Sequence, residues 1–257
     1  MSIDISHRRS GNIRKVTFSP KGKKGFSFNM LAALALIFIA VGYTGTVLAD
    51  MLPFPVMIAA DFIKQAAYPL VASLTAQCYF LAKNRRKQAL FLGVMTAVAH
   101  IPTMFLSIGR ITLLCETSLL FPILMGYIGL MLSDMPNIDR NVKIILTFLI
   151  CFSASIGEGG SAVVVWTLIF GSRTDSITKT KLFYAVGLTL VVINLIYMFM
   201  SGFRNWTGII VSLGFLLAAP FLSKYNSFNA DASKSHIFVI IYPVMIAVYA
   251  VIITLRF

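Results

Sequence analysis

Nine apolar runs follow one another along the chain, near 29–49, 66–82, 88–107, 111–132, 143–157, 160–171, 182–201, 205–222 and 236–255. Most approach the roughly 20 residues that carry a helix across ~30 Å of hydrocarbon. The pattern therefore predicts an all-α polytopic integral membrane protein with about eight to nine transmembrane helices. Residues 1–28 show no hydrophobic period and are polar and basic, which reads as a flexible cytoplasmic tail lying on anionic headgroups. Residues 29–257 read as a single transmembrane domain, because no gap between runs is long enough for a second one. A secretory signal is not expected, because Asn29 to Ala49 is longer than a typical h-region and further spans follow.

Composition agrees with this reading. With 58% apolar and 12% charged residues and a mean hydropathy of +0.86, the chain cannot cover a soluble domain with a wetted surface. A net charge of +13 would suggest nucleic acid in a soluble protein. Here the cations sit in the short gaps between apolar runs, where orientation accounts for them and no nucleic-acid partner is implied.

With the tail inside the cell, eighteen of the twenty-two Lys and Arg residues fall on the inner side. They are seven in the tail together with Lys83, Arg85, Arg86, Lys87, Arg140, Lys143, Arg173, Lys179, Lys181, Lys224 and Lys234; Lys64, Arg110, Arg204 and Arg256 fall outside. The positive-inside rule predicts such a bias, and a cytoplasmic N-terminus with it. The same rule tests residues 143–171. Were they one span, Arg173, Lys179, Lys181, Lys224 and Lys234 would all move outside, so two passes or a re-entrant hairpin is expected. The tip of that hairpin is Gly157-Glu158-Gly159-Gly160-Ser161, a carboxylate on a non-helical turn at membrane depth.

Ionisable groups within spans are expensive and mark function by default. His100, in Ala-His-Ile-Pro, suits a general base or proton carrier, or a histidine bonded at a helix end. Glu116 and Arg110 lie near one face of the membrane, either as a structural pair or as part of a site. Glu158 is flanked by glycines that let a backbone approach a ligand closely. Asp61 and Lys64, three residues apart, read as a surface pair. Cys78, Cys115 and Cys151 lie inside apolar runs without CxxC spacing, so neither a disulfide framework nor a metal site is indicated. There is no Walker loop, no HExxH and no nucleophile elbow.

From Asp61 onward the order of motifs resembles the TraX family, multispan proteins associated with N-acetylation of conjugative pilins in bacteria. Lys64-Gln65-Ala66-Ala67-Tyr68-Pro69-Leu70 is similar to the family's second-span signature, and Lys83-Asn84-Arg85-Arg86-Lys87 to the basic loop after it. His100-Ile101-Pro102 ends the third span. Ser118-Leu119-Leu120-Phe121-Pro122-Ile123-Leu124-Met125-Gly126 resembles the fourth-span stretch, Glu158-Gly159 opens the short run, and Tyr242-Pro243-Val244-Met245 echoes the C-terminal motif. The departures fall at positions suited to chemistry. Gly42-Tyr43 stands where the family carries Asp-His, Met245 where it ends on His, and Gln65 where it has Arg.

The resemblance implies a protein of the bacterial inner membrane that acts in pilin maturation. It would N-acylate the amino terminus of a pilin or other small membrane protein from acetyl-CoA or another acyl-CoA. His100, Glu158, Glu116 and Tyr43 are the groups left to supply catalysis, with His100 or Glu158 as base. Lys64, Gln65, Tyr68, Arg110 and Ser118 are the binding candidates, Lys64 or Arg110 stabilising the oxyanion in a cavity between spans two to five. The basic loops at 83–87 and 173–181 would attract the anionic acyl donor. Two other readings stand beside this one. The first is a non-catalytic pilin-maturation or secretion-machine partner that kept the scaffold. The second is a small-molecule transporter with a midplane site at Glu158.

Overall fold

A computed structural model describes residues 26–108, 116–203, 206–225 and 237–256. The sequence candidates Arg110 and Cys115 lie outside these residues, as does the tail before Phe26. The described chain is all-α, its only β pairing being two isolated bridges. The helices are α1 (Phe28–Val47), α2 (Phe54–Leu81), α3 (Arg85–Ile108), α4 (Leu120–Ser133), α5 (Arg140–Ala154), α6 (Gly160–Gly171), α7 (Ser176–Met200), α8 (Trp206–Ser212), α9 (Ala218–Lys224) and α10 (Ile237–Arg256), with a 3₁₀ turn, Leu213–Leu217, joining α8 to α9.

Among the described residues, five helical stretches are long and apolar enough to cross a membrane: Phe28–Val47, Arg85–Leu106, Ser176–Met200, Trp206–Lys224 and Phe238–Leu255. α2 has the length but carries Asp61, Lys64, Gln65 and Gln77, while α4 and α6 are short. These helices expose large apolar side chains: Ile144, Phe148 and Phe152 on α5 and Leu188, Ile196 and Phe199 on α7 all face outward. Water would not tolerate so continuous an apolar face, whereas lipid is its natural solvent. The chain is a membrane protein.

The centre of the bundle is α2. Every residue from Ala66 to Gln77 is buried, because α1, α4, α6 and the α8–α9 segment pack around it. Pro69 removes one helical hydrogen bond from α2, a loss that neighbouring helices make tolerable inside a membrane.

Two elements differ from the apolar pattern. The run at 111–132 does not form one helix, since α4 begins only at Leu120. Before it, Thr117 is extended and pairs with Gly157, its N–H donating to the Ile156 carbonyl (3.0 Å) while the Glu158 N–H donates to the Thr117 carbonyl (3.0 Å). Backbone groups spent on that pairing cannot enter a helix, and Pro122 sits in the first turn of α4, where its missing N–H costs little. α7, by contrast, starts earlier than the apolar run, at Ser176, because Asp175 caps it by accepting from the Thr178 N–H at 3.0 Å.

The charge arithmetic for 143–171 agrees with the local geometry. α5 and α6 are antiparallel arms joined by the turn at 155–159, and both outer ends lie beside the end of α4: Lys143 Nζ donates to the Ser133 carbonyl (3.1 Å) and Gly171 packs on Leu130. The same end of the bundle collects the start of α1, the α2–α3 loop and the end of α9. Phe28, Cys78, Gln88 and Phe238 surround one small void there, Arg85 meets Asp134, and the Phe26 N–H donates to the Lys224 carbonyl (2.9 Å). We call this the basic end.

Candidate functional site

The tip of the α5–α6 turn points into the bundle rather than out of it. Gly159, at φ +74°, reverses the chain in a conformation that L side chains rarely adopt. This places the Glu158 carboxylate inward, where the residue is only 6% exposed. An isolated carboxylate there would cost several kcal/mol, about 3–5 by analogy with broken buried pairs, so its partners decide whether the turn exists.

Four side chains from three helices supply them. Lys64 Nζ lies 2.6 Å from Oε1 as an ion pair. The Tyr43 hydroxyl donates to Oε2 at 2.5 Å, that of Tyr242 donates to Oε2 at 3.1 Å, and that of Tyr68 donates to Oε1 at 3.3 Å. Lys64 and Tyr68 reach the same carboxylate because positions i and i+4 share a helix face. A carboxylate accepts about four such contacts, so Glu158 is saturated.

The partners are themselves held. The Tyr242 hydroxyl accepts from the Leu119 N–H (3.0 Å), which ties α10 to the segment that grips the turn. Lys64 Nζ sits 4.2 Å from the centre of the Tyr43 ring, a cation–π contact. Its stem lies across α1 at Gly42, where any Cβ would fall 2.4–2.6 Å from the Lys64 methylenes. Thus the dipeptide Gly42-Tyr43 does two jobs: the glycine makes room for the lysine, and the tyrosine binds both members of the ion pair. At ~1.5 Å per residue along α2, Tyr68 and Lys64 lie about 20 and 25 Å from Leu81 at the basic end.

Of the sequence candidates, Tyr43, Lys64, Tyr68 and Glu158 converge here. Glu116 is exposed and lies within electrostatic range of Lys64 and Glu158. Ser118 is fully buried with its hydroxyl unpartnered, between the two residues that hold the turn and Tyr242. His100, on α3, is hydrogen-bonded to none of the cluster, and its Nδ1 is buried without a partner. Gln65 turns away from Glu158 toward the 3₁₀ turn at Gly214. The Asp61–Lys64 surface pair gives way to Lys64–Glu158, since the buried carboxylate gains more from the ammonium than an exposed Asp61 does.

Sequence reasoning did not place Tyr242 in the site, although its Tyr-Pro dipeptide was a signal. Thr117 carried none, because its role is made by backbone. Among the described residues no three His, Cys, Asp or Glu side chains gather as a metal site. No protein-family model, curated protein or solved structure matches the chain.

Proposed function

We propose that this chain is a TraX-like membrane acyltransferase of the bacterial inner membrane, with its basic end cytoplasmic and about eight to nine membrane passes. It acylates the amino terminus of a pilin or other small membrane protein, with an acyl-CoA as donor. One observation carries the reading. Lys64 and Tyr68 of the second-span motif, Glu158 of the Glu-Gly motif and Tyr242 of the C-terminal motif, remote in sequence, meet on one carboxylate.

The chemistry asks for a base and a cation. Glu158 takes the proton from the attacking amine by exchanging its longest contact, that with Tyr68, for the substrate nitrogen. As the N–C bond forms, the carbonyl oxygen gains charge, and Lys64 stabilises it with the ammonium protons that Glu158 does not use. When the C–S bond breaks, the departing thiolate takes up the proton held by Glu158. Tyr43 and Tyr242 keep the carboxylate aimed throughout.

A second reading, a non-catalytic pilin-maturation partner, is favoured by the saturation of Glu158, which is also what a purely structural anchor looks like. Mass spectrometry of pilin from cells with the intact gene, and from cells carrying Glu158→Gln, separates the two. Acyl mass present in the first and absent in the second, with the variant still in the membrane and folded, supports catalysis. Unmodified pilin in both rejects it.

A further inference from the structure

The basic end carries a cavity of about 600 Å³ between the α2–α3 loop and the end of α4. Its rim holds Lys83, Arg85 and Arg86, and Met135 and the Tyr79 ring contribute apolar wall. Asp134 is the acidic residue in the lining, and it is already engaged: it accepts from Tyr79 Oη at 2.8 Å and from Arg85 at 3.0 Å. Lys83 and Arg86 are exposed and have no acidic partner among the described residues.

Orientation alone asks only that cations lie on one side of the membrane; it asks for no cavity and fixes no geometry. Arg85 is fixed nonetheless. Its guanidinium lies 4.2 Å from the centre of the Tyr79 ring while Asp134 holds one edge. A planar guanidinium pinned on one side and stacked on a ring presents its remaining N–H groups in a set direction, the arrangement that suits a tetrahedral oxyanion. Two unpaired cations beside it leave the basin with an excess of positive charge over Asp134. The apolar wall then favours a ligand whose phosphate is joined to a less polar part.

We propose that this basin is a phosphate-binding site for an amphipathic phosphate ester. The chemistry has two sources: a soluble ester such as coenzyme A, which would deepen the acyl-transfer reading, or the headgroup of an anionic phospholipid. Binding needs no turnover, so the site stands or falls separately from the acyl-transfer reading.

The test uses the purified full chain in nanodiscs, where both faces are open and orientation does not matter. Titrations of coenzyme A into zwitterionic nanodiscs measure the soluble source; native mass spectrometry of protein from phosphatidylglycerol-containing nanodiscs measures retained anionic lipid. The variant is Lys83→Gln/Arg86→Gln, which leaves the Arg85 clamp intact, and the control is Lys224→Gln, an exposed cation at the same end. Losing two charge-assisted contacts should weaken binding at least about tenfold. Saturable coenzyme A binding that weakens so in the double variant and not in the control supports the soluble source. Retained phosphatidylglycerol lost only in the double variant supports the lipid. Absence of both in the parent protein, binding unchanged by the double substitution, or equal weakening in the control overturns the proposal. An unaltered unfolding temperature shows that the double variant is folded.

Discussion

Replacing Lys64 by Met keeps most of the stem volume against Gly42 and Tyr43 but removes the charge 2.6 Å from Glu158. The variant then holds a carboxylate in a 6% exposed residue, facing three tyrosine hydroxyls and no cation. Removing one partner of a buried pair costs about 3–5 kcal/mol. Two features reduce that here: the Lys64 side chain is 17% exposed, and the hydroxyls continue to donate. An expected loss of roughly 2–4 kcal/mol remains. For a chain of this size, each kcal/mol moves the midpoint by about 2–4 °C, so the unfolding temperature should fall by roughly 4–16 °C. Helical circular dichroism in nanodiscs reads this directly. The decisive measurement is the cycle with Glu158→Gln. Lys64→Met/Glu158→Gln leaves neither charge unpaired and should recover at least half of the loss, a coupling of about 1–3 kcal/mol. Additive losses in the double variant would refute the ion pair as the element that makes the turn affordable.

Gly159→Ala should destabilise by about 1–3 kcal/mol, because φ +74° disfavours a Cβ and the Val163 methyl lies 2.7 Å from its position; thermal unfolding checks it, and an unchanged midpoint contradicts the turn geometry. Cysteines at Lys83 and at Glu116 should react with a membrane-impermeant thiol reagent from opposite sides of the bilayer in oriented vesicles, and labelling from the same side would break the placement of the two ends. Asp175→Ala should lower the unfolding temperature at pH 7, since the Thr178 hydroxyl and N–H hold the Asp175 carboxyl below its ordinary value of 3.8. A folded value below the unfolded one means the cap contributes above the ordinary value and is lost as pH falls through the folded one. The gap between parent and variant should therefore close below about pH 4.

Length and polarity make the helices legible along the chain. Apolar runs near 29–49, 88–107 and 236–255 correspond to α1, α3 and α10 within a few residues, because burial in lipid asks only for continuous apolarity and an internally bonded backbone. The charge bias likewise predicted that residues 143–171 return to the end from which they start. Glu158 stood out because a carboxylate among glycines in an apolar setting is costly wherever it folds.

Other features were invisible along the chain. The break before α4 depends on backbone pairing between Thr117 and Gly157, which no side-chain pattern encodes. Tyr43 and Tyr68 stand as separate candidates, and Tyr242 as an ordinary aromatic, until three helices bring their hydroxyls to one carboxylate. Lys64 had a plausible partner one turn away in Asp61, and only packing showed that it crosses at Gly42 to reach Glu158. Apolar periodicity and charge bias are summed over many residues, so each survives ignorance of the fold. A site is a few contacts of about 3 Å between residues as far apart as Tyr43 and Tyr242, and only the tertiary structure decides which distant residues share that distance.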